Sequence, residues 1–302
     1  MQQTVVEHID RLTEDIVALT LRATSGELAS WEPGAHIDLS VPNWLTRQYS
    51  LCGDPADQDA YRIAVRYDPL SRGGSEYLHR FLRPGRALNV SLPRNHFPLV
   101  RAPRYLFVAG GIGITPLLPM LREAVAAGLP ATLLYVGASV GRMPFADELR
   151  RSYNDRVRIV ETTRQGRPDL TALAATLEPD ALVYCCGPAG MLAAAGEAFP
   201  AERLHAERFQ PAPRTFAPDT AFEAVCTRSA DTVAVPAGVS LLDALAHAGH
   251  PLPAGCREGV CGSCDVAVLD GAPEHRDDIG APKGRMYACV SRALSPRLVL
   301  DL

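Results

Sequence analysis

The sequence predicts three modules in series: an antiparallel β-barrel, a doubly wound α/β unit and a small α+β unit. Three observations carry this. Short alternating runs with turn punctuation fill residues 1–102, strands alternating with helical patterns fill 103–210, and a cysteine-bearing segment of few strands and one helix fills 222–302 after a proline-rich stretch at 211–221. The chain has 302 residues, 47% hydrophobic and 21% charged, enough for two or three separate cores.

In the first module, residues 5–9, 16–21, 36–41 and 61–66 alternate or are β-branched, and Pro33-Gly34 and Pro84-Gly85 fall between runs as turns. One helix, 75–82, interrupts them. Many short strands with regular turns favour a small barrel. In the second module the continuous apolar strand Tyr105-Leu106-Phe107-Val108-Ala109 leads through a glycine-rich turn into a helix at 117–127. Strands at 132–136, 157–160 and 181–185, with a helix at 145–153, complete a parallel, doubly wound sheet. Pro211, Pro213 and Pro218 mark an extended linker. The last module has strands near 222–226, 232–235 and 297–300, and a helix at 240–248.

Charge and composition exclude several classes. With 30 basic against 34 acidic residues, a net charge of -4 and no Lys/Arg-rich run, nucleic acid is not an expected partner. The first residues are too polar for a signal peptide, and no apolar run is long enough to span a membrane. A cytoplasmic protein with no membrane partner is therefore expected, where structural disulfides are rare. Its 8 cysteines need another explanation.

Half of them supply it. Cys256, Cys261 and Cys264, followed by Cys289, read C-x4-C-x2-C…C, the plant-type [2Fe–2S] ligand spacing. Four thiolates must converge on two irons from a tight loop. Gly255, Gly259 and Gly262 let the backbone wrap close and aim N–H groups at sulfur. The alternative, a zinc site, usually pairs C-x2-C with a second such pair or with histidines, and neither is present. Cys226 and Cys52 read as small apolar fillers.

Two glycine loops stand at strand ends. Gly110-Gly111-Ile112-Gly113-Ile114-Thr115-Pro116 opens a helix, where backbone N–H groups and the helix dipole suit a pyrophosphate. Cys186-Gly187-Pro188-Ala189-Gly190-Met191 repeats the arrangement. A tight turn is the plain alternative for either loop alone; the pair points to a nicotinamide nucleotide at the carboxyl edge of the sheet. In the barrel, Arg47-Gln48-Tyr49-Ser50 offers a phosphate-binding guanidinium, a ring to stack on a flat cofactor and a hydroxyl for a ring nitrogen. Gly73-Gly74-Ser75 adds helix-start amides, although a simple turn and N-cap reads equally well there.

With these motifs in this order the chain resembles the phthalate dioxygenase reductase family, over essentially its whole length. The resemblance implies an FMN-binding barrel at 1–102, an NAD-binding α/β domain at 103–210, a linker at 211–221 and a ferredoxin-like (β-grasp) domain at 222–302. It implies that Arg47, Gln48, Tyr49 and Ser50, with Ala64, Val65 and Arg66, hold the flavin, and that Gly73, Gly74 and Ser75 take its phosphate. Gly110, Gly111, Gly113, Ile114, Thr115, Pro116, Cys186, Gly187, Pro188 and Met191 would hold the nucleotide, with Ser50, Thr115 and Cys186 as catalytic residues. Phe209, in a Glu-x-Phe match, would lie against the flavin. Cys256, Cys261, Cys264 and Cys289 would carry the cluster.

One departure concerns the loop after the strand ending at Val136. Relatives carry Arg-Ser there, and this chain has Gly137-Ala138-Ser139-Val140-Gly141-Arg142. If that loop faces the adenosine ribose, Ser139 and Arg142 favour NADPH, whereas the family favours NADH, which is the expectation adopted. The function implied is that of a monomeric NAD(P)H-dependent oxidoreductase passing single electrons to a terminal oxygenase, a Rieske oxygenase or O-demethylase first, a cytochrome P450 second. A plant-type cluster near about -400 mV reduces a Rieske centre at roughly -150 to +300 mV downhill. A redox sensor built from the same parts is a third reading.

Overall fold

The barrel strands are β1 (Gln2–Arg11), β2 (Ile16–Ala23), β3 (His36–Val41), β4 (Leu45–Ser50), β5 (Ala60–Arg66) and β6 (Ala87–Val90) in a computed structural model that describes residues 1–41, 45–70, 73–212 and 214–302. They form one antiparallel sheet in the order β4-β3-β6-β1-β2-β5. A bridge between Leu51 and Ile63 joins its two outer strands and closes the sheet, leaving no long open edge. Alternation turns Val17, Leu19, Leu21, Ile37 and Leu39 into the barrel core. The helix expected at 75–82 is present in two parts, α1 (Gly74–Glu76) and a π-helical turn at Tyr77–Phe81. The wider turn sends Leu78 and Leu82 into the core.

The second sheet is wholly parallel, in the order β11-β10-β7-β8-β9. Its elements are β7 (Arg104–Gly110), α2 (Ile114–Ala126), β8 (Ala131–Gly137), α3 (Ala146–Tyr153), β9 (Val157–Glu161), α4 (Thr162–Gln165), α5 (Leu170–Ala175), β10 (Ala181–Cys186), α6 (Ala189–Ala198) and β11 (Leu204–Glu207). Strand order reverses between β7 and β10, so the crevice at that switch point is the ligand position this topology creates. Barrel and sheet share a core: Ile16, Cys52 and Ala64 pack in one cluster with Ile114, Leu118 and Cys186. Arg122 on α2 also donates to the Gly53 carbonyl at 2.6 Å. This joint burial is why Met1–Glu207 is one compact unit.

The second compact unit is Arg208–Leu302. It holds β12 (Phe222–Cys226), β13 (Asp231–Val235), α7 (Leu241–His247), β14 (Asp265–Asp270), β15 (Pro273–Glu274), β16 (Arg285–Tyr287), β17 (Arg292–Ala293) and β18 (Arg297–Leu300). The main sheet runs β13-β12-β18-β14-β16, with β12 and β18 parallel and the other pairs antiparallel. Ser240 caps α7 by accepting from the Asp243 N–H at 3.0 Å, and Leu241, Leu242 and Leu245 seal the helix onto the sheet. Among the described residues no disulfide forms, and no helix is long and apolar enough to cross a membrane.

Candidate functional site

The barrel brings Arg47 and the Gly73-Gly74-Ser75 turn together. A Cβ on Gly74 would lie 2.9 Å from Arg47 Cγ, so only glycine lets the β4 arginine lie against the start of α1. Gly73 has φ +91 and open space beside it. A guanidinium beside helix-start amides is a cradle for a phosphate monoester, so these residues fit the FMN that the resemblance implies. The Ser75 hydroxyl also closes its own loop, accepting from the Asp68 N–H at 3.1 Å. Tyr49 is half-buried and desolvation pushes its phenol above the ordinary value; Ser50 is buried at the end of β4. Of the neighbouring strand, Ala64 faces the shared core, Val65 the barrel core and Arg66 the solvent. Val65 therefore offers a cofactor only its backbone.

The two glycine loops meet at the switch point, and they meet each other. A Cβ on Gly113 would stand 2.3 Å from the Cys186 carbonyl oxygen, and one on Gly110 2.5 Å from Pro188 Cδ. Packing adds a second reason for glycine at two of the three positions: Cys186, Gly187 and Pro188 pack on Gly110 and Gly113. Gly110 and Gly111 line the cleft, and Gly111, at φ +54, has open space beside it. The Ile114 and Pro116 side chains are core, and Thr115 is buried with its hydroxyl donating to the Ile112 carbonyl at 3.0 Å.

β11 ends in Glu207, a residue to which the sequence assigns no functional role. Cys186 and Glu207 are partners across β10 and β11, with Cys186 Sγ 4.0 Å from Glu207 Oε2. Burial pushes the Glu207 carboxyl up to about 8 and, with the nearby carboxyl, raises the Cys186 thiol well above its usual range. At neutral pH the pair is therefore uncharged. The signal available was the Glu-x-Phe match, whose glutamate ends a parallel strand.

A cleft of about 380 Å³ opens beside these loops, lined by Gly110, Gly111, Val136, Gly137, Ala138, Thr162, Arg167, Pro168, Leu170, Pro188, Gly190, Met191 and Ala194. Ser139 and Arg142, expected at the adenosine ribose, are not among its lining. Gly137 packs against Met143, where a Cβ would fall 2.4 Å from Cγ, and this folds the 140–142 turn away. Arg142 is 63% exposed and reaches Asp15 of the barrel at 3.5 Å. The cation among the cleft's lining residues is Arg167, between α4 and α5 and next to Pro168.

In the second unit the four cysteines converge. Cys256 takes hydrogen bonds from the Cys261 and Cys289 thiols, and Cys289 also contacts Cys264, so the four sulfurs form one connected set. The Glu258 N–H donates to Cys256 Sγ at 3.3 Å and the Cys256 N–H to Cys261 Sγ at 3.4 Å, the amide-to-sulfur pattern expected from the loop. The Cys261 and Cys289 thiols beside it, with the Glu258 amide, pull the Cys256 thiol well below its usual range. Among the described residues, no three His, Cys, Asp or Glu side chains surround a single-ion position. Four cysteines linked pairwise suit a two-iron cluster. Phe209 lies in the first residues of the second unit with its ring exposed.

A barrel sharing its core with a doubly wound nucleotide sheet, followed by a four-cysteine β-grasp unit, defines an oxidoreductase of the nucleotide-to-iron–sulfur class. Residues 107–197 match the oxidoreductase NAD-binding domain family, and 226–294 the 2Fe-2S iron-sulfur cluster binding domain family. The chain is 40% identical to phenoxybenzoate dioxygenase subunit beta of Ectopseudomonas oleovorans over 96% of its length and 93% of that protein. It superposes on phthalate dioxygenase reductase, described as a modular structure for electron transfer from pyridine nucleotides to [2Fe-2S], with TM-score 0.73 at 35% identity, covering 99% of this chain and 97% of that one. It also superposes on an intact type IV self-sufficient cytochrome P450 monooxygenase with TM-score 0.91 at 40% identity; all of this chain corresponds to 41% of that longer protein. The chain belongs to the phthalate dioxygenase reductase family.

Proposed function

We propose that this protein is the reductase component of an oxygenase system, taking electron pairs from NADH and passing single electrons to a separate terminal oxygenase, a Rieske non-haem iron oxygenase or O-demethylase. The observation that carries this reading is the connected set of four cysteine sulfurs on the same chain as the switch-point cleft. The cluster is an obligate one-electron carrier, which a nucleotide and flavin module alone would lack. Bound FMN supplies the exchange between paired and single electrons.

The modules divide at 1–102, 103–210, 211–221 and 222–302. Arg47 and the Gly73–Gly74 amides hold the FMN phosphate, Tyr49 and Ser50 receive its ring system, and Phe209 covers it. Gly111 lets the nucleotide backbone approach, and Thr115 and Cys186 orient the nicotinamide. Glu207 keeps its proton at neutral pH, so no charge opposes the nucleotide behind Cys186. Close packing of the two loops excludes water from that floor. Cys256, Cys261, Cys264 and Cys289 bind the two irons, and the Glu258 and Cys256 amides tune them. The protein works as a cytoplasmic monomer.

A cytochrome P450 as acceptor is the second reading, favoured by the close superposition on a reductase portion fused to one. NADH-driven turnover with each candidate oxygenase separates the two. Reduction of cytochrome c at many turnovers per minute supports a reductase over a redox sensor; absence of turnover with every acceptor refutes the proposal.

A further inference from the structure

Among its described residues the stretch joining the two units has no helix or strand, and its prolines suggest a free spacer. Its side chains show otherwise. The Ala212 N–H donates to Asp278 Oδ2 at 2.6 Å, and Arg214 pairs with Asp278 Oδ1 while donating to the Asp277 carbonyl at 3.0 Å. The Asp278 carboxylate is only 5% exposed while Arg214 is 43% exposed, so the acidic end of this charge-assisted contact is the shielded one. Without Arg214 the buried carboxylate would lose its cationic partner. Further along, Phe216 lies under the Arg276 guanidinium, 4.8 Å from its ring centre, and Asp219 pairs with Arg276 at 2.7 Å. The other side of the same segment supports the cluster loop: the Asp278 N–H donates to the Gly259 carbonyl at 3.0 Å.

We propose that Arg214 and Asp278 form a clasp that shortens the tether between the units and so sets the rate at which electrons reach the cluster. They are positioning residues, and the inference rests on the electron-transfer reading above. Each transfer moves one electron from reduced flavin to oxidised cluster; the nucleotide supplies it and the oxygenase removes it. With the clasp closed and Phe209 held at the flavin, residues 210–211 span the gap to Ala212. With it open, the next anchor is Phe216 beneath Arg276, and the span grows to 210–215. Local concentration falls roughly as the -3/2 power of tether length, so opening the clasp should lower it about fivefold.

Anaerobic stopped-flow mixing of holoenzyme with NADH resolves flavin reduction from cluster reduction. Arg214→Ala should slow the cluster phase about fivefold, leave the flavin phase unchanged and leave the cluster's EPR spectrum and midpoint potential unchanged. Arg214→Lys, which retains the ion pair, should restore most of the rate. Inserting four Gly/Ser residues after Gln210, with the clasp intact, should give the same slowing as Arg214→Ala. On cofactor-free protein, chymotrypsin should cut at Phe216 faster in Arg214→Ala than in wild type. A cluster phase at wild-type rate in Arg214→Ala overturns the proposal, as does slowing accompanied by a shifted potential, which would assign the clasp to the cluster itself. Absence of any flavin phase in wild type would instead overturn the electron-transfer reading.

Discussion

Cys186 Sγ lies 4.0 Å from Glu207 Oε2, side by side at the ends of parallel strands β10 and β11, with Cys186 buried and Glu207 half-buried. Desolvation at that position keeps the carboxyl protonated, which gives the fold a pH signature.

The Glu207 carboxyl binds its proton more tightly in the fold, near 8 against an ordinary 4.5, so unfolding between those values releases a proton. Stability should therefore fall as pH rises from about 4.5 to about 8 and level off above. Glu207→Gln should flatten that slope and raise Tm at pH 8.5 relative to wild type, as thermal unfolding across pH will show. A variant with wild-type slope would mean the carboxyl is ionised in the fold.

The packing of the two glycine loops is equally open to test. Gly113→Ala places a Cβ 2.3 Å from the Cys186 carbonyl, against backbone that cannot swing away. The expected cost is about 1–3 kcal/mol of stability, with NADH reduction impaired. Gly190→Ala, where the added Cβ meets nothing within 4 Å, should change stability little. Differential scanning calorimetry of both variants gives the comparison.

Replacing Cys261 by Ser removes a sulfur that receives the Cys256 N–H and contacts Ser263 Oγ at 3.1 Å. The [2Fe–2S] absorption should be lost or unstable. Ferricyanide reduction by NADH, which can draw on the flavin, should persist while cytochrome c reduction collapses. Wild-type rates with both acceptors would show that Cys261 is not a ligand.

Nucleotide choice should follow the cleft. Arg142→Ala should leave kcat/KM for NADH and for NADPH nearly unchanged, because Arg142 is exposed and directed at Asp15. Arg167→Gln should weaken NADPH about tenfold and NADH little, since a 2′-phosphate is the group that needs a cation at that end. Equal loss with both nucleotides would place Arg167 at the pyrophosphate instead.

Much of this was readable from the residues, and the failures share a cause. The apolar run 105–109 and the cysteine spacing specify themselves locally. β4 did not read as a strand because Thr46, Arg47, Gln48 and Tyr49 are half-buried toward the cofactor position rather than alternating between core and solvent. β6 is four residues long, too short for periodicity to register. That Ser139 and Arg142 do not line the cleft could not be read locally, because neither Gly137 packing on Met143 nor the approach of 162–170 to the cleft is a local property. Glu207 was visible as a motif letter, but its raised affinity for a proton comes from tertiary burial.

The central claim is that nucleotide, flavin and cluster communicate within one chain, and anaerobic titration with NADH tests it most directly. Acid-released flavin should chromatograph as FMN, one per chain. Reducing both centres takes about three electrons per chain, or roughly one and a half NADH. Flavin absorbance should bleach as a [2Fe–2S] EPR signal grows in the same titration. Flavin bleaching that leaves the cluster EPR-silent, with dithionite then producing the signal, would contradict the account.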